Sequence, residues 1–483
     1  MHKHFASTLI AVAAAAVFAP LAGCGGGGDS SPAMAISDGT AVAPVVITSA
    51  SPNAVSRWNE IATNTINATA TPGAGTAAEQ RPDYAYDLAA VHLAIYDALM
   101  AITPTHRPYA VTPAADASGA SQEAAVAAAA YGVLKRLYPA RTALYQGEYD
   151  TALAALPVGD AKTKGLALGA EVAQTLLDAI GDDGRSVALA PYMPGTAPGR
   201  FRGLAPVNRQ APLMKPYALT AAAQFRAPPP PALDSATFAA DYNESRLLGG
   251  LVSTTRTDAQ LDAARFHSEP PSRFWPRNLR KFATTDGSLA EHARLMAMLY
   301  TAEADATIAC FESKYFYEAW RPLSAIPLGD TDGNPATTAD PGWLPVLPTP
   351  NHPEYPAAHS CASSAVGEVL KSYYGTGDIG FGFDSTVSAT AHLYTSIQGL
   401  LADVQIARIA GGMHFRFSTA AGAALGTNVG QWVAANHFQL RTADDPPKLP
   451  VPRCPSDSLA ADRTPSQVGV SVSNRTVETC RSL

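Results

Sequence analysis

Long alanine-rich segments with helical character dominate this sequence and limit the folds it can adopt. Residues 86–102, 122–138 and 162–180 consist largely of strong helix formers, and the last of these segments stops at Gly181. We find neither a convincing alternation of apolar and polar residues, as a half-buried strand requires, nor an internal repeat. The sequence therefore predicts an all-α fold.

Two segments rich in proline or glycine interrupt the helical pattern. Residues 191–233 include the run APPPPAL, which cannot be helical because proline lacks the backbone N–H and clashes with the preceding turn. We predict that they form a long ordered loop that crosses one face of the protein and serves a site. Helices are expected again from about Ser235 to His437, broken by a Gly/Pro/Asp-rich stretch at 329–353.

Length and charge restrict the domain count and the class of partner. The chain has 483 residues, of which 47% are hydrophobic, so it can bury a large core as one large domain or two ordinary ones. Its net charge is −7 and it has no long basic run, which argues against nucleic acid as a partner. Past the N-terminus we find no stretch of about 18 apolar residues, so we expect no further membrane span.

The N-terminus has the pattern of a secretory signal, with an apolar core at 9–18 followed by LAGC at 21–24. These four residues resemble the bacterial lipobox, which implies cleavage before Cys24 and attachment of lipid to its thiol. The alternative is an ordinary secretory signal with a chance cysteine. We expect a signal peptide at 1–23, a flexible tether at 24–51, and a mature protein anchored by lipid at the periplasmic or extracellular face of the cell envelope.

Four cysteines remain besides Cys24, an even number that indicates disulfides in an oxidising compartment. They are Cys310, Cys361, Cys454 and Cys480, which allow three pairings. Cys454 and Cys480 bracket a polar tail and are the most natural partners, so we predict that a disulfide staples residues 441–483. No CxxC or histidine-rich spacing accompanies the cysteines, which argues against a metal site built from them.

The first motif that carries chemistry is KYFYEAWRP. It places Lys314 and Arg321 seven residues apart, or two helical turns, so both cations are expected to project from one helix face. Two adjacent cations repel each other, and the aromatic flanks indicate a half-buried face, which favours an anion between them. The alternative is a solvated helix face.

Two further motifs contain histidines. His359 follows a proline-rich extension and begins a run of small residues, which predicts a helix start where free N–H groups and the helix dipole favour an anion. A lone histidine is otherwise an ordinary core or surface residue. Arg408 and His414 are six residues apart and would point about 120° apart in an unbroken helix. Gly411-Gly412 can break that helix and turn His414 back toward Arg408.

Taken in order, the motifs Lys-x6-Arg-Pro, Pro-x-x-His and Arg-x5-His resemble the signature of the vanadium-dependent haloperoxidase / phosphatidic acid phosphatase type 2 superfamily. The flanking sequences ADATIACFESKYFYEAWRPLSAI and GWLPVLPTPNHPEYPAAHS are similar to bacterial vanadium-dependent haloperoxidases. The likeness covers roughly residues 52–438. It implies a large helical-bundle domain over residues 52–440 with long proline-rich loops.

The resemblance also implies roles for individual residues. His414 would be the apical ligand of vanadium, or the nucleophile toward phosphorus in a phosphatase, and His359 would be the acid–base group. The groups that would hold the oxygens of vanadate, or of phosphate as a competing occupant, are Lys314, Arg321, Arg408 and the backbone N–H of Ala358.

Two positions depart from the family pattern, and a third residue is a candidate for the surroundings of the site. Ala357-Ala358 stands where Ser-Gly is usual, so one hydroxyl donor is missing, at a cost of about 1.5–3 kcal/mol in oxyanion binding. Ser418, four residues after the last histidine, stands where aspartate often holds the ring and would do so more weakly. Asp305 is either the charge partner of an active-site arginine or an exposed helix acid.

Two classes of enzyme compete on this sequence. A vanadate-dependent haloperoxidase would oxidise halide with hydrogen peroxide to hypohalous acid, which reacts with a small organic acceptor. A phosphohydrolase would use His414 as nucleophile and form a phosphohistidine. A third alternative, which the missing serine favours, is a lipid-anchored protein that binds an oxyanion without catalysis. The sequence leaves a homo-oligomer open.

The resemblance further bears on the halide. The residue seven before the acid–base histidine tends to be apolar in family members that oxidise chloride and is often histidine in those limited to bromide or iodide. Here it is His352, with Phe311 three residues before Lys314. A second imidazole makes the halide path polar and offers a proton relay, which hinders chloride most. We therefore expect oxidation of bromide and iodide, unless His352 caps a loop outside the pocket.

Overall fold

Helices form most of the regular secondary structure in the described residues, as the alanine-rich segments predict. The computed structural model describes residues 45–47, 51–69, 84–113, 116–284 and 286–442. The helices of this part are α1 (Ala54–Thr69), α2 (Tyr84–Ile102), α3 (Gln122–Leu137), α4 (Thr142–Ala154), α5 (Asp160–Ile180), α6 (Ala236–Gly249), α7 (Asp258–Phe266), α8 (Pro271–Leu279), α9 (Leu289–Tyr317), α10 (Pro322–Ala325), α11 (Ala358–Tyr374), α12 (Ile397–Ala410) and α13 (Arg416–Asn436). The prediction of an all-α fold class is confirmed.

The longest helix, α9, forms the centre of the core. Its start is fixed by a capping box, in which the Ser288 hydroxyl accepts the backbone N–H of Glu291 and the Glu291 side chain bonds back to the backbone of Ser288. The helix runs for 29 residues, most of them buried, and α2, α11 and α13 pack against it. Because α9 is surrounded by other helices, the position of its last turn, which carries Lys314, is firmly set.

Within the described residues, α2 is the one helix long and apolar enough to cross a membrane. The expectation that no apolar stretch of about 18 residues follows the N-terminus is therefore wrong for α2. In the structure, 94% of its most apolar window is buried inside the protein, where it packs against α3 and α9. Burial in a protein core selects the same apolar composition as a membrane does, and α2 is a core helix.

A stripe of glycines brings α13 close to α11. Gly422, Gly426 and Gly430 recur every four residues on one face of α13, and a Cβ atom on any of them would meet the backbone of α11 or of the residue that precedes it. At Gly426 the atom would run into the carbonyl group of Cys361. The two helices therefore pack in direct backbone contact, which holds the start of α11 beside the start of α13.

A disulfide joins α11 to α9. Cys310 and Cys361 form it, with their Cα atoms 6.3 Å apart. The predicted pairing of Cys454 with Cys480 lies outside the described residues and stays a prediction, as do the signal peptide and the lipidation of Cys24.

A small sheet interrupts the helical region. Its strands are β1 (Val45–Val46), β2 (Ile379–Asp384) and β3 (Ala391–Tyr394). β1 runs parallel to β2, and β2 pairs antiparallel with β3, with Phe381 opposite Tyr394. The prediction of helices throughout 235–437 is wrong for this hairpin, because the glycines of IGFGFD conceal the alternation of its buried residues. The predicted tether is also wrong at residues 45–47, which pair with β2.

The proline-rich segment between α5 and α6 is a long loop with one short 3-10 turn at Ala211–Leu213, as predicted. The fully buried carboxylate of Asp305 anchors it by accepting the backbone N–H groups of Tyr217, Ala218 and Leu219 at 2.7–2.8 Å. Burial raises the pKa of Asp305 to about 6, although the three N–H groups oppose that shift. Both interpretations of Asp305 are therefore wrong: it is neither exposed nor the partner of an active-site arginine, because its acceptor sites are occupied by the loop.

Candidate active site

The predicted site residues converge although they lie on separate segments of the chain. Lys314 is in the last turn of α9, and Arg321 directly precedes α10. The extended segment 352–359 leads into α11, and the turn between α12 and α13 lies between Arg408 and His414. These segments meet in the interior, and the described contacts join each of them to a neighbour.

Lys314 and Arg321 do not share a helix face, so the predicted two-turn spacing is wrong. α9 ends at Tyr317, and Glu318 adopts a left-handed conformation with φ of 48°. The turn that follows brings the Arg321 guanidinium into the site, where Nε donates to the carbonyl oxygen of His352 at 2.9 Å. Both cations still reach the same site, but through a turn that the helical pattern does not show.

Three buried cations dominate the electrostatics of the site. Lys314, Arg321 and Arg408 are 0%, 2% and 2% exposed. Burial lowers the pKa of Arg321 to about 10, and burial together with Arg321 lowers the pKa of Arg408 to about 9. The pKa of Lys314 falls well below its usual value because of burial and of both arginines. Their described hydrogen bonds go to carbonyl oxygens, imidazole nitrogens and a sulfur, none of which neutralises a cation.

The turn between α12 and α13 places His414 against Arg321. Gly412 has φ of 75°, and the backbone N–H of His414 donates to the carbonyl oxygen of Arg408 at 3.2 Å. The predicted return of His414 toward Arg408 is therefore confirmed. His414 Nε2 lies 2.8 Å from Nη1 of Arg321, so this nitrogen faces the cations. Burial and the neighbouring cations hold the pKa of His414 well below its usual value, which keeps the ring neutral.

Glu354 orients His414, and the sequence motifs did not identify it. Its Oε1 lies 2.8 Å from Nδ1 of His414 and accepts the backbone N–H of Phe415 at 3.0 Å. A carboxylate at Nδ1 keeps the ring proton there and leaves a lone pair on Nε2. Ser418, predicted to hold the ring, has its Oγ 3.4 Å from Nδ1 and is the longer contact. The sequence signal for this role is the glutamate in the HPEYP motif, which is Glu354. The prediction relied instead on Ser418, four residues after His414.

Burial raises the pKa of Glu354 to about 7, against the opposing effect of Arg321 and Lys314. Its second oxygen, Oε2, is buried without a hydrogen-bond partner. Lys314 Nζ donates to the carbonyl oxygens of Pro353 and Glu354, each at 2.9 Å. The same lysine that contributes charge to the site thus also fixes the segment that presents Glu354.

His359 lies at a helix start, as predicted. α11 begins at Ala358, and Ala357 provides no side-chain cap, so the first N–H groups of the helix, including that of Ala358, have no side-chain acceptor from the cap residue. The structure describes no hydrogen bond to the ring of His359, a half-buried residue. Its pKa is held well below the usual value by burial, Arg408 and His267. A neutral imidazole without a fixed partner can accept a proton and return it.

His352 borders the site and does not cap a loop away from it. Its ring nitrogen Nδ1 lies 2.9 Å from Nη2 of Arg321, and its ring centroid lies 5.0 Å from that of Phe311. Both side chains are buried. Burial and the cations Arg321 and Lys314 lower the pKa of His352 well below its usual value. One wall of the site is therefore formed by the aromatic ring of Phe311 and the neutral imidazole of His352.

The arrangement of these groups fits a tetrahedral oxyanion. Burial and the cations Arg321, Lys314 and Arg408 lower the pKa of His414, and Nη1 of Arg321 lies 2.8 Å from its Nε2. Nε of Arg408 is buried without a hydrogen-bond partner. Glu354 is the one carboxylate that touches His414 in the described structure, and it does so at the opposite nitrogen, Nδ1. A bound anion would relieve the mutual repulsion of the cations, so Lys314, Arg321 and Arg408 fit vanadate or phosphate.

Comparisons with known proteins agree with this architecture. The family described as the VCPO second helical-bundle domain matches residues 294–442. Vanadium chloroperoxidase from Curvularia inaequalis is 30% identical over a region that covers 32% of this chain and 30% of that protein. The match thus spans less than a third of that relative's length.

Two solved structures share the fold. A bacterial vanadium-dependent iodoperoxidase superimposes with a TM-score of 0.65 at 22% identity, covering 82% of this chain and 99% of that one. A holo-type bacterial vanadium-dependent chloroperoxidase gives a TM-score of 0.61 at 17% identity, covering 80% and 98%. At these identities the similarity establishes a common fold.

The matched domain contains the whole candidate site, from Phe311 to Ser418. The three motifs of the sequence, this domain match and the shared fold all indicate the same family, and they confirm the resemblance. Residues 294–442 match the family of the VCPO second helical-bundle domain, and the chain shares its fold with bacterial vanadium-dependent haloperoxidases.

Proposed function

We propose that the protein is a vanadate-dependent haloperoxidase that oxidises bromide or iodide with hydrogen peroxide to hypohalous acid. The observation that carries the proposal is the buried group of three cations around His414, whose Nδ1 is oriented by Glu354 and whose Nε2 faces Arg321. The names of these similar proteins support it, because all of them are vanadium-dependent haloperoxidases.

Each residue has a task that follows from its surroundings. Vanadate, when bound, supplies a Lewis acid that activates peroxide toward attack by halide. Lys314, Arg321 and Arg408 would neutralise the oxyanion, and His414 would offer the Nε2 lone pair that Glu354 preserves. His359 would take a proton from hydrogen peroxide and deliver it to the departing oxygen, since its ring is neutral.

The same geometry supports a phosphohydrolase as the second candidate. A neutral imidazole with a carboxylate at Nδ1 and its lone pair on Nε2 is also the arrangement of a histidine nucleophile. The three cations would then stabilise the charge on a transferring phosphoryl group. The two functions differ in their substrates and not in their pocket.

One assay separates the candidates. The purified protein is given bromide, hydrogen peroxide and a phenolic dye, with and without added vanadate, and in parallel a chromogenic phosphate ester. We expect vanadate-dependent bromination, lost in His414→Ala, and little ester hydrolysis. Ester hydrolysis that vanadate inhibits, without bromination, would establish the phosphohydrolase instead. Binding of vanadate without either activity would establish an oxyanion-binding protein.

The halide preference rests on His352. Its contact with Arg321 puts an imidazole at the wall of the site, where it makes the halide path polar. Chloride is the hardest of the three halides to oxidise and holds its water tightly. We therefore expect bromide and iodide oxidation with little chloride oxidation, and a larger loss of bromide turnover than of vanadate affinity in His352→Ala. Efficient chlorination of a dimedone-type acceptor at mildly acidic pH by the unmodified protein would contradict this.

A further inference from the structure

A second cluster of imidazole and carboxylate groups lies beside Arg408, outside the candidate oxyanion site. It consists of His267 at the end of α7, His392 in β3 and Asp403 in α12. One potential ligand atom from each residue lies within 4.8 Å of the others. Three elements that are separate in sequence thus present nitrogen and oxygen donors to one point.

Two imidazole nitrogens and one hydroxyl group contact the same carboxylate oxygen. Nε2 of His267 and Nδ1 of His392 lie 3.0 Å and 2.9 Å from Oδ2 of Asp403, and the Tyr394 hydroxyl donates to the same oxygen at 2.7 Å. In a tetrahedral zinc site with bonds of about 2.0–2.1 Å, neighbouring ligand atoms are about 3.3 Å apart. The present separations require small side-chain movements to accept an ion.

An outer carboxylate supports the orientation of one imidazole. Nε2 of His392 lies 2.9 Å from Oδ2 of Asp262, so a proton on Nε2 has an acceptor and Nδ1 can give up its own proton to bind an ion. Metal-binding histidines usually have such a carboxylate partner on the second nitrogen. The ring of Phe266 stacks on His392 at 3.8 Å between centroids and restricts its rotation.

The cluster is both enclosed and reachable. The side chain of His267 is 2% exposed, whereas those of His392 and Asp403 are 17% and 21% exposed and that of Asp262 is 49% exposed. An ion can therefore enter from the side of Asp262 and bind against the buried imidazole of His267. The donor set of two imidazoles and one carboxylate suits zinc and its neighbours, whereas calcium and magnesium require oxygen ligands.

We propose that His267, His392 and Asp403 bind one divalent transition-metal ion of the zinc class, which ties α7, β3 and α12 together. The site is also in contact with the oxyanion pocket, because Nη1 of Arg408 donates to the carbonyl oxygen of His267 at 3.3 Å. The proposal is independent of the halide chemistry, since it concerns a separate set of ligands.

Titration of the full chain with zinc, after treatment with a chelator, tests the proposal. Calorimetry is expected to show one tight site, and cobalt is expected to give the visible absorption bands of a low-coordinate site. His392→Ala should abolish this binding, and Asp262→Asn should weaken it about 10–100-fold because it removes the outer partner. Asp258→Asn, on the same helix but outside the cluster, and His414→Ala should both bind zinc as the unmodified protein does.

Equal zinc binding by the unmodified protein, His392→Ala and Asp262→Asn would overturn the proposal. Loss of binding in His414→Ala alone would also overturn it, because the ion would then lie in the oxyanion pocket. Circular dichroism of each variant without metal checks its folding. If His392→Ala fails to fold, the zinc affinity of Asp262→Asn tests the proposal instead, because a change at this half-exposed side chain leaves the core intact.

Discussion

His414 is held between a carboxylate and a cation, and this pair of contacts determines what its ring can do. Glu354 lies at Nδ1 and Arg321 at Nε2, each at 2.8 Å. The carboxylate fixes the proton on one nitrogen, and the other nitrogen keeps a lone pair among positive charges. At the scale of single residues, oxyanion binding therefore depends on a residue that would not itself touch the oxyanion.

We expect Glu354→Ala to weaken vanadate binding about 10–100-fold, because it removes the group that orients a ligand. Glu354→Gln should lose less, since its amide oxygen can still accept the proton of Nδ1. Equilibrium dialysis against vanadate measures both. Glu368→Gln, a carboxylate on α11 that bonds Gln431, is the matched control and should bind as the unmodified protein does. Equal affinities of Glu354→Ala and this control would contradict the role of Glu354.

The pKa of Glu354, raised by burial to about 7, predicts a pH dependence. Above that pH the carboxylate accepts the proton of Nδ1. Below it the carboxyl group donates to Nδ1 instead, which moves the ring proton to Nε2 and removes the lone pair. Vanadate affinity should therefore decrease as the pH falls through about 7, and the decrease should be shallower in Glu354→Gln. The protonation of vanadate itself affects both proteins equally, so parallel curves would contradict the prediction.

At the scale of helices, the glycine stripe of α13 determines the distance between the two histidine-bearing segments. His359 is in the first turn of α11, and His414 precedes α13 by two residues. Because Gly426 lies against the carbonyl group of Cys361, nothing larger fits without separating the helices. The packing of α11 on α13 is thus part of the site's geometry as well as of the core.

We expect Gly426→Ala to destabilise the fold by about 1–3 kcal/mol through overpacking, and to weaken vanadate binding at the same time. Gly147, in the exposed part of α4, is the matched control, because a Cβ atom added there would meet no other atom within 4 Å. Gly147→Ala should stabilise the protein by about 0.5–1 kcal/mol, since alanine favours a helix over glycine. Thermal unfolding of both variants tests this, and similar shifts of the two would contradict it.

Helices and site residues differ in how far the sequence predicts them. The helices follow from propensity, and α5 ends where Gly181 predicts, because these signals are local. The three motifs identify the residues of the site, but not their partners. The partners of Asp305 and Glu354 depend on the path of the loops, since either acid could reach several groups. The turn after Glu318 and the strands with alternating glycines carry too little local signal to be recognised.

At the scale of the whole molecule, we propose that the enzyme works at the outer face of a membrane, held by a lipid on Cys24. The unmodified protein should partition into the detergent phase of a detergent extraction, and Cys24→Ser should move it to the aqueous phase. Cys454→Ser removes a cysteine outside the lipobox and should leave the partition unchanged. Unmodified protein found wholly in the aqueous phase would contradict the anchor.

The amount of vanadium bound per chain tests the oxyanion site most directly. The full chain is dialysed against vanadate, and bound vanadium is measured by elemental analysis for the unmodified protein, Lys314→Ala, Arg321→Ala and Arg408→Ala. Arg416→Ala is the control, because that arginine follows His414 by two residues but pairs with Glu244 at the surface. We predict one vanadium per chain in the unmodified protein and the control, and at least about tenfold weaker binding in the other three, since preorganised cations supply most of the stabilisation. Undiminished vanadate binding in all three variants, or none in the unmodified protein, would contradict the assignment of the site.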